Sequence, residues 1–416
     1  MITIYSHQQD GQWYSNFEKA GMWPIVEGGW TTQHFMYRLK GICGKNSMIN
    51  LVDYQLDSEN GYYLIHAGNA WQLIEHNGLA FITPEVARKI NSGKLKLLVA
   101  YVFETFDDRT SLREWYWDFC LKLSRAGINR KNSVVFLTST SAGGTVHPGE
   151  ERCVIAYYPW FEADLQCVLK TKFNTPPGID FTKKTKKFIN LNSRPRSHRF
   201  LVVMYLCYRG LLQDGHISWT NYPIVKNLNE ILLVHGAPHW GPHIRGELAR
   251  PEFSEFSDFV TQYKRLEHLT LDFPADHHET WHGAEEYYQQ SWTELINETH
   301  FELFGDTFLT EKSFKSIFYG LPYIINGPKG QLQTLKNEGY LSFPEIFNED
   351  YDSMPCNLAK ITNIGESMNI LCHNPARIEL INTPEILEKL EFNQQHFWKK
   401  DHNKNIHDLL EYAWNQ

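Results

Sequence analysis

No two of the seven cysteines form a Cys-x-x-Cys pair, and their number is odd. That pattern speaks against a disulfide framework and a thiolate zinc site, and fits a reducing cytoplasm. Long apolar runs are missing too. The best, Phe200 to Tyr208, is far short of the roughly 20 residues needed to cross a bilayer. The first ten residues, Met1 to Asp10, lack the basic and apolar regions of a signal peptide. The expectation is a soluble, cytoplasmic protein with no membrane partner. Nor is there an internal repeat or a low-complexity tract. An excess of positive charge is also absent: 40 Lys and Arg stand against 48 Asp and Glu, a net charge of −8. A whole-surface nucleic-acid coat is thereby disfavoured, while a local basic patch stays open.

What is present suffices for full-sized cores. The 416 residues are 42% hydrophobic and 21% charged, which suggests two domains and allows three. Aromatics reach 14%, a composition suited to clefts that stack flat rings or sugar faces.

Along the first 165 residues, short apolar runs alternate with amphipathic stretches, as strands interleaved with helices do. Tyr62–His66, Leu95–Phe103 and Ser133–Thr138 read as buried strands. Pro84 to Asn91 reads as a helix with proline in its first turn, and Ser111 to Ala126 as a second helix. Ser111 and Glu114 would form a capping box for it, and Gly127 would close it. Ser139 to Gly149 reads as a loop. From Lys170 to Arg199 the composition changes: nine basic residues stand against one acid, Asp180. Such a run reads first as a solvated linker at a domain boundary. Its later part, however, contains a strand over Lys187–Asn192 and a helix over Arg196–Arg209. Arg194, Arg196, His198 and Arg199 would then crowd a strand-to-helix turn, where α/β proteins bind anions. Glu230–His235 reads as a strand, followed by a Gly/Pro/His loop to Gly246. Thr310 caps a helix ended by Gly320, Pro322–Asn326 is a strand, and Gln331–Glu338 is a helix closed by Gly339. Helical stretches at Pro384–Leu390 and Ile406–Trp414 finish the chain.

The segment Phe308-Leu-Thr-Glu-Lys-Ser-Phe-Lys-Ser-Ile-Phe-Tyr-Gly-Leu-Pro-Tyr-Ile-Ile-Asn-Gly327 resembles the donor-binding half of GT-B-type glycosyltransferases, such as the fucosyltransferase-like and exostosin-like families. The resemblance takes in Trp292–Thr299, Gly339–Phe347, Asp350–Asp352 and Asn190–Arg199, roughly half the chain. It implies an α/β fold of two Rossmann-like domains facing a cleft. Residues 1–185 would form the acceptor domain and 186–390 the nucleotide-sugar donor domain, with a 391–416 helix packing back on the first. It also implies a nucleoside-diphosphate sugar as donor substrate, with no metal or other cofactor. Glu311 suits the ribose hydroxyls. Lys312, Arg196 and Arg199 suit the diphosphate, whose charge grows as the glycosidic bond breaks. Thr310, Lys315 and Arg194 complete the donor set.

An inverting transfer also needs a base for the acceptor hydroxyl. Candidates in the first domain are His66, Glu75 and His34; a retaining transfer would need none. The R-P-R-x-H-R turn at 194–199 and the T-E-K-x-F-K helix at 310–315 look like those of glycosyltransferases from large tailed bacteriophages and bacterial surface-polysaccharide clusters. The acceptor would then be a hydroxymethylated pyrimidine in DNA or a glycan. A DNA acceptor would need the Lys170–Arg199 run as a basic face. Two readings from other classes stand beside this one. His278-Glu-Thr-Trp-His282 satisfies H-E-x-x-H, with Glu298 as a possible third zinc ligand of a hydrolase, although the segment is polar and bracketed by Pro274 and Gly283. His235, His239 and His243 have helical spacing, but glycines and prolines between them argue against a helix. A non-catalytic binding module is the other reading.

Overall fold

A computed structural model of the chain describes residues 1–9, 12–14, 32–43, 48–66, 79, 82–102, 112–142, 153–192, 196–218, 240–262, 284–301, 306–354 and 356–416. The expected strand at Glu230–His235, the cap at Ser111 and the His278–His282 motif lie outside them. The chain divides into two compact units. One comprises Met1–Thr171, Phe304–Phe308 and Lys400–Gln416; the other comprises Lys172–Leu303 and Leu309–Lys399.

The first unit begins with β1 (Ile2–Gln9), β2 (Gln12–Tyr14), α1 (Thr32–Cys43), β3 (Ile49–Asp53) and β4 (Gly61–His66). It continues through α2 (Pro84–Ser92), β5 (Leu95–Tyr101), α3 (Leu112–Arg125), β6 (Val134–Thr138), β7 (Thr140–Ala142), β8 (Cys153–Tyr157) and α4 (Trp160–Lys172). Its main sheet runs β2-β1-β4-β5-β6-β8, with β3 also on β1 and every pair parallel except β1 with β2. Every residue of β5 is buried, as in a parallel strand covered on both faces. Thr83 caps α2 by accepting a hydrogen bond from Val86 N, Pro84 occupies its first turn, and Gly93 ends it at φ 80°.

The second unit carries β9 (Lys186–Asn190), α5 (Ser197–Tyr208), β10 (Gly215–Ile217), α6 (Trp240–Leu248), α7 (Ser254–Gln262), α8 (Glu285–Gln290) and β11 (Ser291–Asn297). The chain then contributes β12 (Asp306–Phe308), which pairs antiparallel with β7 in the first unit. It returns with α9 (Glu311–Tyr319), β13 (Tyr323–Asn326), α10 (Gln331–Asn337), α11 (Asn357–His373), α12 (Pro375–Ile381) and α13 (Pro384–Lys399). A last helix, α14 (His402–Asn415), belongs to the first unit, where Tyr62 Oη donates to Leu410 O and Lys96 Nζ donates to Ala413 O at 2.7 Å.

The second unit's sheet is all parallel, in the order β10-β9-β11-β13. From β9 the chain moves one way to β10, then returns to the other side of β9 for β11 and β13. The strand order therefore reverses between β9 and β11. In open parallel sheets, ligands bind outside the carboxyl ends of the strands at such a point.

Four expectations need correction. The Lys170–Arg199 run is a linker only in part: the boundary between the units falls within it, at 171–172, but the run also closes α4, supplies all of β9 and opens α5. Ser139–Gly149 is not wholly loop, because β7 lies within it. A helix does begin at Trp240 despite Gly241 and Pro242; both fall in its first turn, where backbone N–H groups have no helical partner and a proline loses nothing. Finally, α11 extends over 17 residues where no helix was expected.

Helix α11 approaches α5 through a glycine. A Cβ at Gly365 would stand 2.1 Å from Tyr205 Cδ1 and 2.5 Å from its Cε1. That ring is buried, and its hydroxyl donates to Glu366 Oε1 at 2.7 Å. Gly365→Ala is expected to cost about 1–3 kcal/mol through overpacking, more than the gain in helix propensity of roughly 1 kcal/mol returns. The measurement is the thermal unfolding midpoint, which should fall; a midpoint equal to or above wild type refutes the close approach.

Candidate functional site

At the carboxyl edge of the second sheet, asparagines end three neighbouring strands and form a ladder. Asn326 Nδ2 donates to Asn297 Oδ1 at 2.7 Å, and Asn297 Nδ2 donates to Asn192 Oδ1 at 2.7 Å and to Asn190 Oδ1 at 3.3 Å. Asn190 Nδ2 donates to Leu295 O at 2.6 Å, and Asn192 Nδ2 donates to Ser218 O at 3.0 Å. These two carbonyls can only accept, so they fix the orientation of every amide above them. The ladder therefore ends in an acceptor, and Asn326 Oδ1 is buried with no partner among the described residues.

Next to the ladder stands Glu298, wholly buried at the end of β11. Its carboxylate accepts from Thr310 Oγ1 and Ser313 Oγ, each at 2.5 Å, from Thr299 N at 3.1 Å and from Thr310 N at 3.3 Å. Its main-chain carbonyl accepts from His198 Nε2 at 3.0 Å and from Arg199 Nη2 at 3.0 Å and Nε at 3.3 Å. The carboxylate thus ties down the start of α9, while the carbonyl ties down the start of α5. Both helix N-termini, with their positive dipole ends, are held at one residue beside the point of strand reversal.

Around them lie the charged side chains. Arg196 occupies the cap position of α5 in an extended conformation, without a side-chain capping bond. His198 stacks on Phe301, with ring centroids 5.1 Å apart. Burial, with Arg199 beside it, pushes its imidazole well below the ordinary range. Thr310 caps α9 by accepting from Lys312 N. Glu311 and Lys312 are partly exposed and pair at 2.7 Å, and Lys312 Nζ also donates to Thr299 Oγ1 at 3.1 Å. Burial works to raise the Glu311 carboxyl, but Lys312 and Lys315 overcome it and hold it down to about 2. Lys315 is buried, and burial lowers its ammonium against the pull of Glu311 and Glu294. Glu294, in the middle of β11, accepts from Tyr288 Oη at 2.9 Å. Its burial pushes the carboxyl up to about 8.

The structure brings together Arg196, Arg199, Thr310, Glu311, Lys312 and Lys315 from the expected donor set. Arg194 and Glu75 lie outside the described residues. His34 and His66 are placed only by their backbones, on α1 and at the end of β4, and His243 likewise in the first turn of α6. The sequence reading passed over the asparagine ladder and the part played by Glu298. Asn at the ends of Asn190, Asn297 and Asn326 after three apolar runs was the available signal. Asp350-Tyr-Asp352, already part of the resemblance, carries an Asp-x-Asp spacing. That spacing serves the fold here, since Asp352 Oδ1 and Oδ2 accept from Leu332 N at 3.0 Å and Gln333 N at 3.1 Å at the start of α10. Among the described residues, His407, Asp408 and Glu411 on α14 lie close enough to share a metal ion. Asp408 already pairs with Lys404.

No family model matches the chain, and no curated protein does. Among solved structures, the chain is similar to a glycosylation-associated protein (Gap123) complex from Streptococcus agalactiae, at 12% identity and TM-score 0.36, over 85% of this chain and 54% of that one. The chain spans about half the length of that structure. It is also similar to an α1,3-fucosyltransferase, at 11% identity and TM-score 0.32, over 100% of this chain and 90% of that one. The third likeness is to an α1,3-fucosyltransferase with GDP-fucose, at 10% identity and TM-score 0.31, over 96% and 91%.

Glu294 supplies a test of the electrostatics. Its ordinary value is 4.5 and its folded value about 8, so between these the folded chain keeps a proton that the unfolded chain releases. Stability therefore falls as pH rises through that window, by up to about 1.4 kcal/mol per pH unit. Glu294→Gln removes the titration. Its urea midpoint should match wild type near pH 5 and exceed it at pH 9; parallel pH profiles for the two proteins would refute the assignment.

Proposed function

We propose that the chain is a metal-independent glycosyltransferase that moves a sugar from a nucleoside-diphosphate donor to an acceptor hydroxyl, with the second unit binding the donor. The observation that carries the reading is the convergence of two helix N-termini on Glu298 at the strand-reversal point, bearing Arg196, Arg199, Lys312 and Lys315. A diphosphate leaving group gains negative charge as its bond to the anomeric carbon breaks. Cations and helix dipoles already in place lower that barrier without reorganising. Glu311, kept ionised by Lys312 and Lys315, is the acceptor for ribose hydroxyls. Lys312, paired with Glu311 in the chain alone, turns from that carboxylate to the phosphate as the hydroxyls take its place. The base, where inversion requires one, is drawn from His34, His66 and Glu75.

Of the two acceptor classes, we favour a glycan over modified DNA. Several cations of the basic run are already engaged within the fold. Lys184 donates to Tyr288 O and Lys186 to Gln213 O, while Lys183 pairs with Asp180. Counterion release needs lysines and arginines free to meet successive phosphates.

A thermal-shift panel of nucleotide sugars tests the reading, since a donor at 100 times its Kd adds about 2.7 kcal/mol of stability. Glu311→Ala and Lys312→Ala should each lower turnover by roughly two orders of magnitude or more, on the scale of losing one transition-state contact, with thermal midpoints near wild type. No shift with any nucleotide, or unchanged turnover in both variants, sinks the assignment and favours a binding module. Steeply salt-dependent retention on a DNA column would reverse the choice of acceptor.

A further inference from the structure

Lys360 was no part of the donor set, yet its ammonium is buried behind it. The residue is 3% exposed on α11. Its Nζ donates to Gly327 O at 2.6 Å and to Pro328 O at 3.0 Å, in the turn that follows β13. It also stands over two rings, 5.8 Å from the centroid of Phe301 and 5.7 Å from that of Tyr351. Burying an ammonium costs several kcal/mol unless its donors are met. Here two carbonyls and two aromatic faces meet them.

Two lines of contact run from this ammonium to Glu298. Gly327 lies so near that a Cβ on it would stand 3.3 Å from Glu298 Cβ. Phe301 stacks on His198, whose Nε2 donates to the Glu298 carbonyl. One line reaches Glu298 through the 327–328 turn, the other through the ring and the start of α5.

We propose that Lys360 is a positioning residue for the nucleoside-diphosphate site: it holds the 327–328 turn and Phe301 against Glu298 and thereby fixes the two helix starts that receive the diphosphate. The inference rests on the donor reading above. The groups facing the ammonium are Asp352 and Tyr351 from the turn before α11, the Phe301 ring after β11, and the two carbonyls after β13, with neutral His198 one ring beyond. Burial pushes the ammonium down to about 8, against the pull of Asp352. Its charge, and with it the clamp, is therefore lost between pH 7 and 9.

Calorimetric titration of the full chain with UDP and with GDP, at pH 7 and pH 9, tests this. Wild type should bind one of them and lose about tenfold in affinity at pH 9. Lys360→Arg, whose charge persists, should abolish that loss, and Lys360→Met should bind about tenfold more weakly at pH 7 with little further change. Wild-type affinity in Lys360→Met, even with a lowered thermal midpoint, reduces the residue to a structural role and overturns the proposal. So does a wild-type pH loss in Lys360→Arg, which decides the matter if the methionine variant does not fold; Lys184, also brought down to about 8 by burial, would then be the titrating group. A wild-type chain that binds neither nucleotide nor any nucleotide sugar rejects the donor reading itself.

Discussion

The second unit is organised by one buried carboxylate. Glu298 has no exposed surface, and such a charge is tolerable only where several donors converge on it. Two hydroxyls and two backbone N–H groups do so, all from residues 299–313. The start of α9 is therefore set by the needs of the carboxylate, and Glu311 and Lys312 are set with it. The same residue's carbonyl, beyond its carboxylate, takes a histidine and an arginine from α5. Removing the side chain would leave the α9 start without its acceptor, while the α5 contacts, which use the main chain, depend on the strand staying where it is.

The asparagine ladder solves a related problem. A parallel sheet covered on both faces leaves little water at its carboxyl edge, so polar side chains there must satisfy one another. Four amides do this in a single direction, from Asn326 through Asn297 to Asn190 and Asn192. Because the direction is anchored by backbone carbonyls, no amide can turn over without breaking its neighbours' bonds. The edge on which the helix starts sit is thus rigid in the plane of the sheet, while Lys360 braces it from the side of α11. An enzyme that stabilises developing charge by preorganisation needs its donors fixed before the ligand arrives.

Elements bounded by strong local signals were legible in the sequence. The start of α2 at Pro84, the Thr310 cap, the glycine at positive φ after α9 and the buried strand β5 all lie within a residue or two of their expected places. Helix α11 was not legible. Its apolar residues Leu358, Ile361, Ile364, Met368 and Leu371 do keep helical spacing, but three asparagines and Gly365 interrupt the pattern with residues that favour turns. Gly365 is there for α5, a reason that no local window contains. The strand β7 was hidden in the same way, since its partner β12 lies more than 160 residues further along. Within the site, side chains at one helix start could be grouped by sequence adjacency. Glu298, Lys360 and the ladder could not, because each acquires its meaning from strands that become neighbours only in the sheet.

Charge shows the same limit in a sharper form. Nine cations in thirty residues suggest a patch when counted along the chain. The eight that are described are distributed over the end of α4, a short turn, β9 and the start of α5, and several donate to carbonyls of their own unit. A lysine used in this way has its ammonium oriented by the fold, and a polyanion must compete with a formed hydrogen bond to recruit it. At the helix starts, Arg196 and the Glu311–Lys312 pair are partly exposed. On the donor reading proposed above, the cations at the helix starts suit a compact anion of two phosphates. The positive end of a helix has the same short range, falling away within a turn.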